Sequence, residues 1–124
     1  MADFLSRHKI GHWGERVAAQ YLQRHGYLVI EKNYRKPFGE IDVIAVKEHK
    51  YIFCEVKTKR ANHYAPQEQV TPAKQRRMLR TIEVFLKERR LWGEVNFQID
   101  VIAIVVHGNR ARIYHIPNCV ERDA

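Results

Sequence analysis

Cysteine is almost absent from this chain: 124 residues carry two thiols, Cys54 and Cys119, and neither belongs to a Cys-x-x-Cys pair. That count excludes a disulfide-stapled scaffold, a zinc ribbon and a dithiol redox site, so both residues are expected as free thiols. Proline (four) and glycine (six) are sparse and scattered, which leaves no linker that would divide the chain. No apolar run approaches the roughly 20 residues that cross a bilayer. The start, Met1-Ala2-Asp3-Phe4, lacks the charged-then-apolar order of a secretion signal, so a cytoplasmic protein without membrane partners is expected. Acids are the scarcer charge, with 14 Asp and Glu against 22 Lys and Arg and a formal charge of +8. Such an excess draws polyanions by counterion release, which makes nucleic acid the leading partner, although an anionic membrane surface is attracted by the same charge.

A chain of this length, 45% hydrophobic, has material for one core. A single domain over residues 1–124 is expected, with 1–9 and 118–124 as flexible ends. Trp13, Val17 and Tyr21 recur every four residues with Ala18 and Leu22 beside them, which predicts a helix over 13–25 closed by Gly26 as the C′ residue. Tyr27 to Ile30 reads as a short strand. Lys36-Pro37-Phe38-Gly39 supplies a loop before a second strand, Glu40 to Val46. Lys47-Glu48-His49-Lys50 has the length of a hairpin connection into a third strand, Tyr51 to Lys57. An exposed loop follows over 58–70. Thr71-Pro72 then offers an N-cap with proline at N1, and Met78, Ile82, Phe85 and Leu86 keep helical spacing to about Arg90. Val95 to Val106 is apolar and β-branched enough for a buried strand, and His107-Gly108-Asn109 turns it into Ala111 to Ile116. The expected order is αβββαββ.

Chemistry concentrates in the second and third strands. Side chains alternate along a strand, so Glu55 and Lys57 point the same way, roughly 6.6 to 7 Å apart, while Cys54 and Val56 point into apolar packing. Asp42 sits in an otherwise apolar run, where a carboxylate costs free energy unless it is paired or ligates a cation. As hairpin neighbours, Asp42 and Glu55 are expected on one sheet face within reach of a single ion. Mg²⁺ takes hard oxygen ligands, commonly one or two carboxylates with waters and phosphate oxygens, so this pair suits phosphodiester cleavage. Lys57 would orient or deprotonate the attacking water, or offset charge at phosphorus. Glu15, preceded by Gly14 and on the edge of the apolar stripe of the first helix, adds a third acid, and Glu40 competes with it as a ligand. Taken alone, the Asp42–Glu55–Lys57 set is more often a cross-strand ion pair than a catalytic site. Glu15 alone is explained by the helix dipole.

Lys59 and Arg60 after the third strand, and Lys74, Arg76, Arg77 and Arg80 at the start of the second helix, place positive charge beside these acids. They are expected to follow a phosphate backbone. His63 and Tyr64 in the intervening loop would stack on a base or cover the sheet. Asp100, between Ile99 and Val101, has no Glu-x-Lys partner and is assigned to a structural ion pair.

Gly14-Glu15-x-x-Ala18, Tyr21-Leu22, Gly26-Tyr27, Asn33-Tyr34-Arg35, Gly39-Glu40-Ile41-Asp42-Val43-Ile44-Ala45, Glu55-Val56-Lys57-Thr58-Lys59 and Val70-Thr71-Pro72-x-Lys74-x-x-Arg77 form seven ordered blocks across nearly the whole chain. Together they resemble the bacterial UPF0102 (YraN-like) family, which is similar to archaeal Holliday junction resolvases of the PD-(D/E)xK nuclease superfamily. The resemblance implies a restriction-endonuclease-like α/β fold, a mixed central sheet flanked by helices. It also implies that Glu15, Asp42, Glu55 and Lys57 match the metal-binding and catalytic positions. Where many members carry Phe-Gly ahead of a proline, this chain has His63-Tyr64-Ala65-Pro66. The expected activity is Mg²⁺-dependent endonucleolysis, with Mn²⁺ as a substitute, of structured or branched DNA rather than RNA, in repair or recombination. Asp42, Glu55 and Glu15 would hold the metal, and resolution of a four-way junction would call for a homodimer. The alternatives are a non-catalytic nucleic-acid-binding protein and a structural subunit of a DNA repair or processing complex.

Overall fold

The structure, a computed structural model, describes residues 7–63 and 70–123, with side chains from 12 to 62 and from 70 to 117. Its elements are α1 (Arg7–Arg24), β1 (Leu28–Lys36), β2 (Gly39–Lys47), β3 (Lys50–Arg60), a 3-10 turn (Ala61–His63), α2 (Pro72–Glu88), β4 (Asn96–His107) and β5 (Arg110–Asp123). The five strands form one mixed sheet in the order β1-β2-β3-β4-β5. All neighbours are antiparallel except β3 and β4, which run parallel because α2 carries the chain back across the sheet. The expected mixed sheet with two helices is therefore present. The proposed flexible ends fall partly outside the described residues: α1 begins at Arg7 and β5 reaches Asp123.

Local chemistry accounts for most of the boundaries. Gly26 closes α1 at φ 86°, a left-handed turn open to glycine at no steric cost, and the Tyr27 amide returns to the Leu22 carbonyl. Thr71 caps α2, its hydroxyl accepting from the Lys74 amide at 3.2 Å with Pro72 in the first turn. Glu48 and His49 join β2 to β3 in a two-residue turn with both φ angles positive, 51° and 66°. Such a turn matches strand twist but normally calls for Asn-Gly.

β1 is longer than the sequence pattern predicts. It continues through Glu31–Lys36, so Lys36 to Gly39 is the tip of a hairpin and not a loop between separate strands. A bulge between Val29 and Glu31 and the left-handed Asn33 (φ 55°) break the alternation that would have revealed it. β3 likewise runs on to Arg60, into the segment expected to be loop.

The two helices cover opposite faces of the sheet. On one side α2 packs Met78, Ile82, Phe85 and Leu86 against Ile41, Ile44, Phe53, Phe97, Ile99 and Val101. On the other, Ala18 and Leu22 of α1 meet Val43, Ala45, Ile52, Cys54, Ile102 and Ile104. β4 is buried without interruption from Phe97 to Val105, as expected of a central strand covered on both faces.

Candidate active site

The sheet is forked. β2 and β3 pair from Lys47↔Lys50 to Val43↔Cys54 and no further. Beyond that point the first residues of β2 stay with β1, while Glu55 to Arg60 stay with β4. A cleft opens between them, with Asp42 on one lip and Glu55 and Lys57 on the other. The Val56 amide, left without a ladder partner on that side, donates to Asp42 Oδ2 at 2.8 Å. Asp42 thus reaches into the fork rather than standing on the sheet face.

Glu55 shares a face with Phe53, the face that α2 covers, and its side chain is nearly buried. Lys74, in the first turn of α2, donates to Glu55 Oε1 at 2.7 Å. Burial works against the Lys74 ammonium, but the hydrogen bond and charge of Glu55 outweigh it, and its pKa rises above the ordinary lysine value. Asp42 departs from an ordinary carboxyl. Desolvation, reinforced by the charges of Glu55, Glu15 and Glu40 and opposed by the Val56 hydrogen bond, raises its pKa from 3.8 to about 7.

Glu15 enters from α1 on the opposite face. It is 9% exposed, near enough to Asp42 to act on its charge, and its Oε1 is buried with no hydrogen-bond partner among the described residues. α1 comes this close because position 14 is glycine: a Cβ there would collide with Thr58 Oγ1 and touch Val56 and Ile104. The competing acid, Glu40, is exposed and paired with Arg35 at 3.1 Å.

Three carboxylates thus gather here, Asp42, Glu55 and Glu15, with Lys74 paired to Glu55. A buried carboxylate is ordinarily paired or metal-bound, and an orphaned oxygen beside a proton-hungry aspartate is an arrangement that a cation would complete. The donors are all hard oxygens, the type that Mg²⁺ takes. They fit such an ion in chemistry, although among the described residues no set of three or more His, Cys, Asp or Glu side chains is already disposed around a metal position.

The basic residues divide into two groups. Lys57 and Lys59 are half-buried along β3, with Arg60 exposed at its end. Lys74 and exposed Arg77 line a cavity of about 520 Å³ together with Arg35, Lys36, Phe38, Glu40 and Met78. Arg35, Lys36 and Phe38 carry no signal in the sequence beyond their place in a turn; only the packing of that turn on α2 brings them to the site. Tyr64 lies outside the described residues, as does the side chain of His63. Asp100 is fully buried, accepting from Gln98 Nε2 at 2.7 Å and meeting His115 Nε2 at 2.6 Å.

A family model described as "Uncharacterised protein family UPF0102" matches residues 14–104. The chain belongs to the UPF0102 family. A UPF0102 protein of Syntrophotalea carbinolica is 42% identical over 118 residues, covering 94% of this chain and 95% of the relative. One from Rhodococcus opacus is 41% identical over 110 residues (86% and 92%), and one from Vibrio parahaemolyticus 37% over 116 (93% and 94%). The UPF0102 match opens on Gly14-Glu15 and contains Asp42, Glu55, Lys57, Lys59, Arg60, Lys74 and Arg77. Among the described residues no helix is long and apolar enough to cross a membrane.

Proposed function

We propose that this UPF0102 protein is a metal-dependent endonuclease that hydrolyses phosphodiesters of structured or branched DNA. The observation that carries the reading is the gathering of carboxylates at the fork: Asp42 with its pKa near 7, Glu55 beside it, and a buried Glu15 oxygen without a partner among the described residues. Asp42 and Glu55 would hold Mg²⁺, with Glu15 assisting from α1. When bound, the ion would act as a Lewis acid on the phosphate and lower the pKa of a water. Lys57, on the same side of β3 as Glu55, would orient or deprotonate the attacking water. Lys74, Arg77, Lys59 and Arg60 bind the phosphate backbone on either side. Paired cuts across a four-way junction need two sites, so the active form on that substrate is a homodimer.

A second reading has its own support. Lys74 already sits on Glu55 at 2.7 Å, as in a closed structural ion pair. On that reading the protein binds nucleic acid without cutting it. The two are separated by incubating a labelled branched duplex with Mg²⁺ or Mn²⁺ and wild-type or Asp42→Asn protein. Metal-dependent cleavage by the wild type alone supports the enzyme. Equal, background cleavage by both, on branched, single-stranded and RNA substrates that both bind, leaves only the binding protein.

A further inference from the structure

The cavity beside the acids has a shape that a duplex backbone does not need. The tip of the β1–β2 hairpin leans onto the first half of α2. Contact is so close that a Cβ on Gly39 would lie 2.5 Å from Thr81 Oγ1 and 3.1 Å from the Arg77 carbonyl. Between tip and helix lies an open groove of about 520 Å³. Its rim is cationic, from Arg35, Lys36, Lys74 and Arg77. Its interior offers the Phe38 ring and the buried Met78. Phe38 is held by the Arg80 guanidinium, 4.2 Å from the ring centroid.

A concave pocket with an aromatic wall and a cationic rim matches one nucleotide, with a flat π-face at one end and a phosphate at the other. A fully paired duplex cannot fill it, because its bases are stacked inward and its outer surface is convex. One contact ties the pocket to the fork: Lys74 lines the pocket while its ammonium rests on Glu55. Arg35 is paired with Glu40, but that pair is half-exposed and weakly held, so the guanidinium can turn to a phosphate, whereas Lys36 pairs with Glu88 at the far end of α2.

We propose that this pocket binds a single unpaired nucleotide next to the scissile phosphate, stacking its base on Phe38 and holding its phosphate between Arg35 and Arg77. The inference rests on the nuclease reading and narrows its substrate: DNA whose branch, gap or overhang leaves a base unstacked. Perfectly paired duplex is then a poor ligand.

The test measures binding of full-length protein, in chelator, to a blunt duplex and to the same duplex with a single-stranded overhang, by fluorescence anisotropy. A 2-aminopurine in the overhang reports stacking. Wild type is expected to favour the overhang substrate about tenfold, and Phe38→Ala to remove most of that preference while leaving blunt-duplex affinity in place. Phe38→Leu, which keeps apolar volume at the turn, is expected to lose the preference as well. Arg77→Gln is expected to weaken both substrates and lower the salt slope by about one. Equal affinity for the two duplexes, or a preference that survives both Phe38 variants, overturns the pocket. Cleavage is read separately. Asp42-dependent cleavage with no Phe38-dependent preference sinks the pocket and keeps the nuclease, whereas a Phe38-dependent preference with no cleavage sinks the nuclease and keeps the pocket.

Discussion

Replacing Asp42 with asparagine is expected to make the metal-free protein more stable at alkaline pH. Burial beside Glu55, Glu15 and Glu40 raises the Asp42 pKa from 3.8 to about 7, so the folded chain binds this proton more tightly than the unfolded one. Its contribution to stability is fully present below the unfolded pKa and is lost as the pH rises through the folded value. At about 1.4 kcal/mol for each tenfold change in proton affinity, the whole displacement amounts to roughly 4 kcal/mol. Between about pH 5 and about pH 8 the share that changes is roughly 2 to 3 kcal/mol, an upper bound because water entry into the fork relieves part of it. The asparagine variant carries no such dependence and keeps an oxygen for the Val56 amide. The assay is urea or thermal unfolding of both proteins in chelator at the two pH values. The advantage of the variant over wild type should grow with pH, by a relative melting shift on the order of 10 °C at most. A difference that stays constant with pH, or one that shrinks, refutes the account of a carboxylate held against its own charge. Excess Mg²⁺ at alkaline pH should raise the wild-type midpoint and leave that of the variant in place.

Lys74→Met strips the nearly buried Glu55 of its cation and should cost about 2 kcal/mol near neutral pH, below the value for a sealed pair because Lys74 is 37% exposed. Mg²⁺ should restore part of the loss in a thermal melt; an unchanged melt would mean that Glu55 does not depend on Lys74. Gly39→Ala should destabilise by about 1 to 3 kcal/mol through the clash with Thr81 Oγ1, with Thr81→Ala in the same chain recovering part. Additive losses in urea would show that the hairpin tip does not press on α2. Changing Glu48-His49 to Asn-Gly relieves two left-handed residues and should raise stability by about 1 kcal/mol, measured by the denaturation midpoint. His115→Phe should cost about 3 kcal/mol, because it takes from the fully buried Asp100 its contact with the imidazole; a loss below about 1 kcal/mol would assign little to that contact.

What the sequence discloses, and what it hides, follows from how far each signal reaches along the chain. Thr71-Pro72 and Gly26 act within one turn, so the start of α2 and the end of α1 are plain to read. Glu55 and Lys57 share a side by strand alternation alone. Asp42 reads as their neighbour on one face, but its place is in the fork, and a fork is a property of pairing between strands that no single strand records. The length of β1 is hidden for a different reason: a bulge and a left-handed asparagine erase its period of two. Lys74 is legible as a cation near the site but not as the partner of Glu55, because the crossover helix alone sets that distance. The Arg35-Lys36-Phe38 wall is the least legible of all, since a turn motif says nothing about the surface it rests on.

The fork also explains how the sheet tolerates a polar cleft next to its core. β3 keeps its pairing with β4 along its full length, from Lys50↔Asn96 to Arg60↔Val106, so only the β2 side is opened. Opening that side would leave the Val56 amide without an acceptor, and a buried amide without a partner costs about 1 to 3 kcal/mol. Asp42 Oδ2 takes that place. The same carboxylate therefore completes the backbone of one strand and puts its charge beside Glu55 and Glu15. Alanine at position 42 removes both roles at once, and lost cleavage in that variant would not distinguish a missing metal ligand from a loosened β3. Asparagine retains an acceptor for Val56 and removes only the charge, which makes it the substitution whose effect on metal binding and cleavage bears on the chemistry itself.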